Sequence, residues 1–147
     1  MHGLAGGFDL PHLQTIHRIV FQDIYSWAGE VRTIPIAKNH PFCLPQFIEE
    51  QATQLFASLA SEQGLVNLKC EVFIDRLTHF MSELNAIHPF REGNGRSQRM
   101  FFELLASDAG YVLDWSQTTE AENIAAHIAA MEGDTRLLRA MISAVVI

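Results

Sequence analysis

The chain has 147 residues, 48% of them apolar, which is long enough for one domain with a hydrophobic core. Ten lysines and arginines are outnumbered by 17 aspartates and glutamates, so the formal net charge is −7. This balance excludes a general electrostatic attraction for nucleic acid or anionic membranes. Any polyanion must therefore be held by a local basic cluster, and we expect neither a nucleic-acid partner nor a membrane partner.

Hydrophobic periodicity predicts about six helices, and the apolar stripe of the first runs from Leu13 to Trp27. The third and fourth helices flank a polar, glycine-bearing loop. Capping residues, prolines and glycines mark the predicted helix boundaries. These boundary residues are Asp9 and Gly29, Pro45 and Gly64, Gly110, Ser116 and Gly133, and Asp134.

Segment 31–44, VRTIPIAKNHPFCL, departs from the helical pattern. Its first residues alternate and it contains two prolines, which indicates a short hairpin or an extended flap at an edge. The predicted architecture is therefore all-α, one compact domain of helices with a short β-hairpin flap. We find neither a signal peptide nor an apolar run of membrane-spanning length, which predicts a cytoplasmic protein.

Twelve residues, HPFREGNGRSQR, run from His88 to Arg99 between the third and fourth helices. The GNG at 93–95 is a plausible anion site, because glycine lets backbone approach closely and free amides at a helix start point toward phosphate. Taken alone, however, these residues slightly favour a purely structural role. A tight turn at a helix start would use the same residues. Arg96 and Arg99, three apart on a helix, share a face and could both reach one polyphosphate. Beside the glycines, phosphate binding is favoured over a solvated arginine pair.

The same loop carries a carboxylate and a histidine. Glu92 could hold Mg²⁺ or could simply stabilise the helix N-terminus by its charge, and the sequence favours neither. His88 is the natural general base, since imidazole titrates near neutral pH, although a histidine at a helix end can also be a cap. Four other histidines share no zinc-ligand spacing and are interpreted as packing residues. They are His12, His17, His79 and His127.

HPFREGNGRSQR resembles the Fic motif, HxFx(D/E)GNGRxxR, at every defined position. LPHLQTIHRIVFQDIYSWAGEVRT and LASDAGYVLDWS are similar to the stretches before and after that motif in Fic proteins. The resemblance implies that residues 1–147 form an all-helical Fic domain, a core excised from a longer effector or toxin. It also implies a protein adenylyltransferase, which transfers AMP from ATP to a Ser, Thr or Tyr hydroxyl of a target protein and releases pyrophosphate.

Residue roles follow from this resemblance. His88 would deprotonate the target hydroxyl, and Glu92 would hold Mg²⁺. The glycines and the asparagine would surround the α- and β-phosphates, while the arginines would bind the β- and γ-phosphates. These implied nucleotide-binding residues are Gly93, Asn94, Gly95, Arg96 and Arg99.

The resemblance also assigns the flap and a form of regulation. The flap from Thr33 to Phe42 would align the target by strand addition, and Lys38 would approach the nucleotide. In the family, an (S/T)xxxE(G/N) helix can block the γ-phosphate, and Thr118 to Asn123, TTEAEN, matches it in letters. So loose a pattern arises readily by chance. We therefore expect inhibition to need an antitoxin-like partner or a further N-terminal segment.

Two alternatives stay open. The chain could be a Fic enzyme that uses another nucleotide donor, although the intact GNGR favours a triphosphate. It could also be a catalytically silent nucleotide-binding module that acts by docking. The presence of every defined residue of the Fic motif disfavours this alternative. The expected compartment is the bacterial cytosol, or a host cytosol for a secreted effector.

Overall fold

The computed structural model describes residues 6–147, which form six α-helices and one small β-ladder. The helices are α1 (Leu10–Phe21), α2 (Ile48–Ser61), α3 (Cys70–Ile87), α4 (Asn94–Asp108), α5 (Glu120–Met131) and α6 (Arg136–Val145). The strands are β1 (Ala37–Lys38) and β2 (His40–Pro41). The all-α architecture predicted from hydrophobic periodicity is confirmed.

Helix α3 is the centre of the core and packs against α2, α4, α5 and α6, while α1 packs on α2 and α4. The apolar positions of α3 recur every three or four residues. The side chains of Phe73, Leu77, Phe80 and Leu84 therefore face inward and are almost completely buried. Each such side chain stabilises the fold by about 1.5–3 kcal/mol. Within residues 6–147, no helix is long and apolar enough to cross a membrane.

The first helix is shorter than its apolar stripe predicted. It ends at Phe21, whose carbonyl accepts hydrogen bonds from the amides of Ile24 and Tyr25 and so starts a run of turns. Ile24 is 64% exposed and does not belong to the core. The chain then folds back on α1, because the amide of Gly29 donates to the ring of His17. The prediction that the helix extends to Trp27 was therefore wrong.

The start of α5 also differs from the prediction. Residues 115–117 form a single 3-10 turn capped by Asp114, so Ser116 does not begin the helix. Thr119 is the N-cap instead, and its hydroxyl accepts a hydrogen bond of 3.1 Å from the amide of Glu122. A threonine followed three residues later by a glutamate is the capping-box pattern, which outcompetes serine at 116.

Two other predicted helix starts agree closely with the structure. Pro45 opens a 3-10 turn, 45–47, that continues directly into α2. Asp134 lies just before α6, and its carboxylate accepts a hydrogen bond of 3.1 Å from the amide of Arg136. The N-cap of α6 is Thr135, which makes no side-chain capping hydrogen bond, so Asp134 supplies its carboxylate from one position earlier than predicted.

The predicted flap contains one antiparallel ladder of two residues in each strand. Ala37 pairs with Pro41 and Lys38 pairs with His40. The turn is made by Asn39, whose φ of 65° lies in the left-handed region that asparagine tolerates better than most residues. Proline at one end of the ladder limits further pairing, which keeps the flap short.

Candidate functional site

A cavity of about 480 Å³ lies between the flap, the end of α3, the start of α4 and one face of α5. The structure brings most of the predicted site residues into its wall, although they come from different elements. Those lining it are Lys38, His88, Glu92, Gly93, Asn94, Gly95 and Arg99. Arg96 does not line the cavity.

His88 is the C-cap that follows the last residue of α3, and it has left-handed backbone angles, φ 51° and ψ 68°. Its Nδ1 lies 3.2 Å from the carbonyl oxygen of Asn85. Since a carbonyl can only accept, Nδ1 carries the hydrogen and Nε2 keeps its lone pair. The ring of Phe42 stacks on the imidazole with 3.8 Å between centroids. These contacts fix the ring and leave Nε2 as its proton-accepting atom.

Burial is the main reason that the pKa of His88 is lowered, from 6.5 to about 4. The hydrogen bond to Asn85 opposes this change, and the nearby cationic groups of Lys38 and Arg32 add to it. A low-dielectric environment disfavours the imidazolium, so the ring is neutral at physiological pH. It can accept a proton without first losing one.

The backbone next to the cavity needs glycine at position 93. Gly93 has φ 80°, and a Cβ there would lie 2.4 Å from a ring carbon of Phe21. The amides of Asn94 and Gly95 follow as the first residues of α4, where amides have no intrahelical acceptor. Apart from its chain neighbours and the adjacent backbone of α4, no described atom lies within 4 Å of the position that a Cβ on Gly95 would occupy. An anion can therefore approach this helix start closely.

Asn94 is buried, and its side chain closes the loop before α4. Its Oδ1 accepts from the amide of Phe90 at 2.9 Å, and its Nδ2 donates to the carbonyl of Phe90 at 2.7 Å. Phe90 itself is fully buried in the core. Both polar atoms of the amide thus bond to the backbone of Phe90, which fixes the side chain and leaves one hydrogen of Nδ2 unused by these bonds.

His17, interpreted from the sequence as a packing residue, supports this loop. Its Nδ1 accepts from the amide of Gly29 at 2.9 Å, so Nε2 carries the hydrogen and donates to the carbonyl of Glu92 at 2.8 Å. The ring stacks on Phe90 at 3.9 Å. Burial lowers its pKa, which keeps it neutral. The signal in the sequence was its position four residues after Leu13, on the buried face of α1.

Each arginine of the twelve-residue motif lies over an aromatic ring. Such contacts hold a guanidinium in place by cation–π attraction. The pairs are Arg91 with Trp27 at 5.2 Å, Arg96 with Phe21 at 5.2 Å and Arg99 with Trp115 at 5.0 Å. Sequence spacing predicted that Arg96 and Arg99 serve one polyphosphate together. In the structure Phe21 holds Arg96 beside α1, and only Arg99 of this pair lines the cavity.

Helix α5 forms the opposite wall, which the sequence did not indicate. Ile124, Ile128 and Met131 supply an apolar surface there. His127 lies between them, and its pKa is lowered to about 4, mainly by burial and further by the charge of Arg99. The cavity therefore has a polar end at the start of α4 and an apolar end at α5.

The available donors fit a magnesium ion that arrives with a phosphate ligand. Glu92 is exposed at the cavity and offers one carboxylate. Among residues 6–147, no group of three or more His, Cys, Asp or Glu side chains could hold a metal. Mg²⁺ is commonly bound through one or two carboxylates plus substrate phosphates, so a single glutamate suffices.

Capping of α5 accounts for the letters TTEAEN. Thr119 caps the helix, and the hydroxyl of Thr118 lies 3.3 Å from the carboxylate of Glu122. Within residues 6–147, Arg99 forms no ion pair with any carboxylate. In this structure the glutamate therefore stabilises its own helix and does not neutralise Arg99.

Residues 7–106 match the Fic/DOC family. Protein adenylyltransferase VbhT of Bartonella schoenbuchensis is 43% identical over 140 residues, which cover 95% of this chain and 29% of VbhT. Probable protein adenylyltransferase Fic of Escherichia coli is 45% identical over 139 residues, which cover 93% of this chain and 69% of that protein. The chain thus spans less than a third of one relative and about two thirds of the other.

Solved structures agree with this similarity. BepC of Bartonella tribocorum, a VirB-translocated effector with bound AMPPNP, has a TM-score of 0.91 and 26% identity, covering 99% of this chain and 78% of that one. An N-terminal Fic domain from Bartonella quintana with bound ADP has a TM-score of 0.91 and 28% identity, covering 99% and 76%. The glycine-opened α4, the histidine ending α3 and the match over residues 7–106 lead to one conclusion: the chain belongs to the Fic/DOC family.

Proposed function

We propose that the chain is a protein adenylyltransferase that transfers AMP from ATP to a Ser, Thr or Tyr hydroxyl of a target protein. The observation that carries the proposal is the neutral imidazole of His88 in the same cavity as the glycine-opened helix start and Arg99. The names of the relatives and the AMPPNP bound to BepC support it.

The two ends of the cavity suit the two ends of ATP. The amides of Asn94 and Gly95 would receive phosphate oxygens at the start of α4, where the helix dipole favours negative charge. Arg99 would bind the outer phosphates, and Arg96 would reach them only by leaving the ring of Phe21. The apolar surface of α5 around Ile128 would cover the base.

The proposed reaction is an in-line displacement at the α-phosphorus. As the target oxygen attacks, its proton moves to Nε2 of His88, and the bond to the bridging oxygen breaks so that pyrophosphate leaves. Backbone amides and Arg99 stabilise the charge that develops on the phosphates. Phosphate charge near His88 raises the pKa of the ring, which strengthens the base when nucleotide is bound.

Glu92 is the residue proposed to hold Mg²⁺ together with the phosphates. When bound, the ion would neutralise charge on the leaving pyrophosphate. The hydrogen bond from His17 to the carbonyl of Glu92 fixes the backbone from which this carboxylate extends. The donor set, one exposed carboxylate, is what supports the assignment.

The flap and its surroundings define the proposed partners. A target segment would add as a strand along Thr33 to Phe42, bringing its hydroxyl toward His88, with Lys38 at the cavity. An antitoxin-like protein is the proposed inhibitor, since within the described residues Arg99 forms no ion pair with a carboxylate. Because the reaction needs ATP, the proposed compartment is a bacterial cytosol, or a host cytosol for a translocated protein.

The test is transfer of label from α-labelled ATP with Mg²⁺ to the chain itself or to lysate proteins. We expect His88→Ala to abolish transfer while nucleotide binding survives. His79→Ala, on the same helix but away from the cavity, is the matched control and should behave as the unmodified chain. Transfer of AMP by the His88→Ala variant at the original rate would contradict the assignment of His88 as the general base.

Competition between ATP and other nucleoside triphosphates separates the adenylyltransferase from an enzyme with a different donor. Unlabelled ATP should suppress transfer at lower concentration than GTP, CTP or UTP. If ATP binds but no protein is labelled in any lysate, the docking-module alternative is favoured instead.

A further inference from the structure

Arg32 is a buried arginine that bonds to backbone carbonyls rather than to a carboxylate. Arg32 is only 2% exposed, although arginine is almost never buried unless it is paired. Within residues 6–147 it forms no ion pair with Asp or Glu. Burying an unpaired charge is costly, so this guanidinium must be held by other strong interactions.

Four backbone carbonyls supply those interactions. Nε donates to His88 at 2.8 Å and Nη1 donates to Ile34 at 2.8 Å. Nη2 is shared between Cys43 and, at 3.2 Å, Ile87. Hydrogen bonds that involve a charged donor are roughly twice as strong as neutral ones. Every nitrogen of the guanidinium is thus bonded to an acceptor.

Two of these acceptors lie at the C-terminal end of α3. Ile87 is its last residue and His88 is its C-cap, where the unpaired carbonyls carry the negative end of the helix dipole. A cation at that position is favourable. The guanidinium of Arg32 also holds the carbonyl of His88 and so stabilises the left-handed backbone angles of that residue.

The other two acceptors lie at the two ends of the flap. Ile34 precedes the ladder, and Cys43 follows it directly after Phe42. The Phe42 ring is the one that stacks on the imidazole of His88, with planes 7° from parallel. The same guanidinium therefore holds the backbone of the base and the strand end that carries the ring against it.

We propose that Arg32 is a positioning residue that keeps the flap in register with His88, so that a hydroxyl aligned on the flap meets Nε2. This inference rests on the proposed function, and Arg32 itself contacts neither nucleotide nor target. Lysine at this position would keep the charge but could not donate to carbonyls in four directions, because its ammonium has three donors on one nitrogen.

The experiment compares Arg32→Lys with Arg76→Lys. Arg76 is a matched control because it bonds the carboxylate of Glu62 with two nitrogens, at 2.7 Å each, away from the cavity. We expect Arg32→Lys to lower kcat for target labelling about 10–100-fold, as misplacement of reacting groups does, with the Kd for ATP nearly unchanged. Arg76→Lys should change neither quantity. Equal losses in kcat and in ATP affinity would overturn the proposal.

A second measurement does not depend on catalysis. NMR titration of the His88 ring should show its pKa raised in Arg32→Lys, because a loosened Phe42 no longer excludes water from the imidazole. If the unmodified chain transfers no AMP, the proposed function fails, yet this titration still tests the role of Arg32. An unchanged titration in a folded Arg32→Lys variant would contradict that role.

Phe42→Leu is a second variant that tests the same contact between the flap and His88 if Arg32→Lys does not fold. Leucine preserves an apolar contact but removes the stacked ring, so kcat should fall with ATP affinity retained. Where both variants fold, the double variant should lose little more than the larger single loss, because both act through one contact between flap and base. If Phe42→Leu leaves kcat and the His88 titration unchanged, the flap does not position the base and the proposal fails.

Discussion

The ring of Phe42 lies flat on the imidazole of His88, with 3.8 Å between centroids and 7° between planes. Phe42 belongs to the flap and His88 ends α3, so the element proposed to bind the target also shields the base from water. This shielding contributes to the burial that lowers the pKa of His88. The proposed target docking and the proposed base chemistry therefore share one contact.

The pH dependence of the reaction should reflect that burial. Because the pKa of His88 is about 4, the free protein holds a neutral base from about pH 5 upward. We expect NMR to give a ring pKa near this value, and kcat/KM at saturating Mg²⁺ to show no acid limb from His88 near pH 6.5. A His88 titration midpoint close to 6.5 would contradict the prediction.

Stability should also depend on pH, with a defined sign. The folded pKa of His88 and of His127 is lowered from 6.5 to about 4, so between these values the unfolded chain binds more protons. The contribution of these two histidines to the free energy of unfolding is therefore expected to be constant above this window and to fall as pH drops through it. Urea unfolding at several pH values measures this slope, and His127→Asn should reduce it. An unchanged slope in that variant would exclude His127 as a source of the pH-dependent stability.

Two glycines of the motif should respond differently to alanine. Gly93→Ala introduces a Cβ against Phe21 at a positive φ, and we expect a loss of about 1–3 kcal/mol in unfolding free energy. Gly95→Ala lies in open space within α4 and should raise stability by about 0.5–1 kcal/mol while weakening ATP binding. Thermal unfolding and calorimetric titration separate the two effects. Unchanged ATP affinity in Gly95→Ala would mean that phosphate does not approach this backbone.

Trp115 should influence the outer phosphates through Arg99. The guanidinium lies 5.0 Å from its ring, and such a contact is worth about 0.5–1 kcal/mol. We expect Trp115→Leu to weaken ATP binding about 2–5-fold with little effect on AMP, which lacks the phosphates assigned to Arg99. Fluorescence or calorimetric titration with both nucleotides provides the internal control. Equal weakening of AMP would point to a general distortion of the cavity.

Glu122 should prove to be a helix-capping residue. Its amide donates to the hydroxyl of Thr119, the N-cap of α5, and its carboxylate accepts a hydrogen bond from the hydroxyl of Thr118. Glu122→Gly is therefore expected to cost about 1 kcal/mol of stability without raising self-labelling. Glu122→Gln, which preserves the helix, should leave both quantities near their original values. A several-fold rise in labelling by either variant would identify Glu122 as inhibitory.

The sequence predicted those features that depend on neighbouring residues. The period of α3, the glycine-bearing loop and the start of α4 are all readable from a few consecutive positions. The same local rules failed where tertiary contacts decide the outcome. Trp27 continues the apolar stripe of α1, yet the chain has already turned because Gly29 bonds to the ring of His17.

The residues that sequence reasoning missed make contacts over long separations. Arg32 occupies a segment that alternates like a strand, but its acceptor on His88 is 56 positions away. The wall formed by Ile124 and Ile128 shows only helical periodicity, which does not reveal which face meets a cavity. No local sequence pattern encodes these contacts, because they arise from the packing of elements that are distant in the chain.

The hydrogen bond from His17 to the carbonyl of Glu92 joins residues 75 positions apart. Closing so long a loop has an entropic cost that the packing of α1 against α4 must offset. The geometry of the loop before α4 therefore depends on contacts with α1, although the motif it carries is continuous in sequence. We therefore expect nucleotide binding during refolding to require the docking of α1, so that helix formation alone should not restore it.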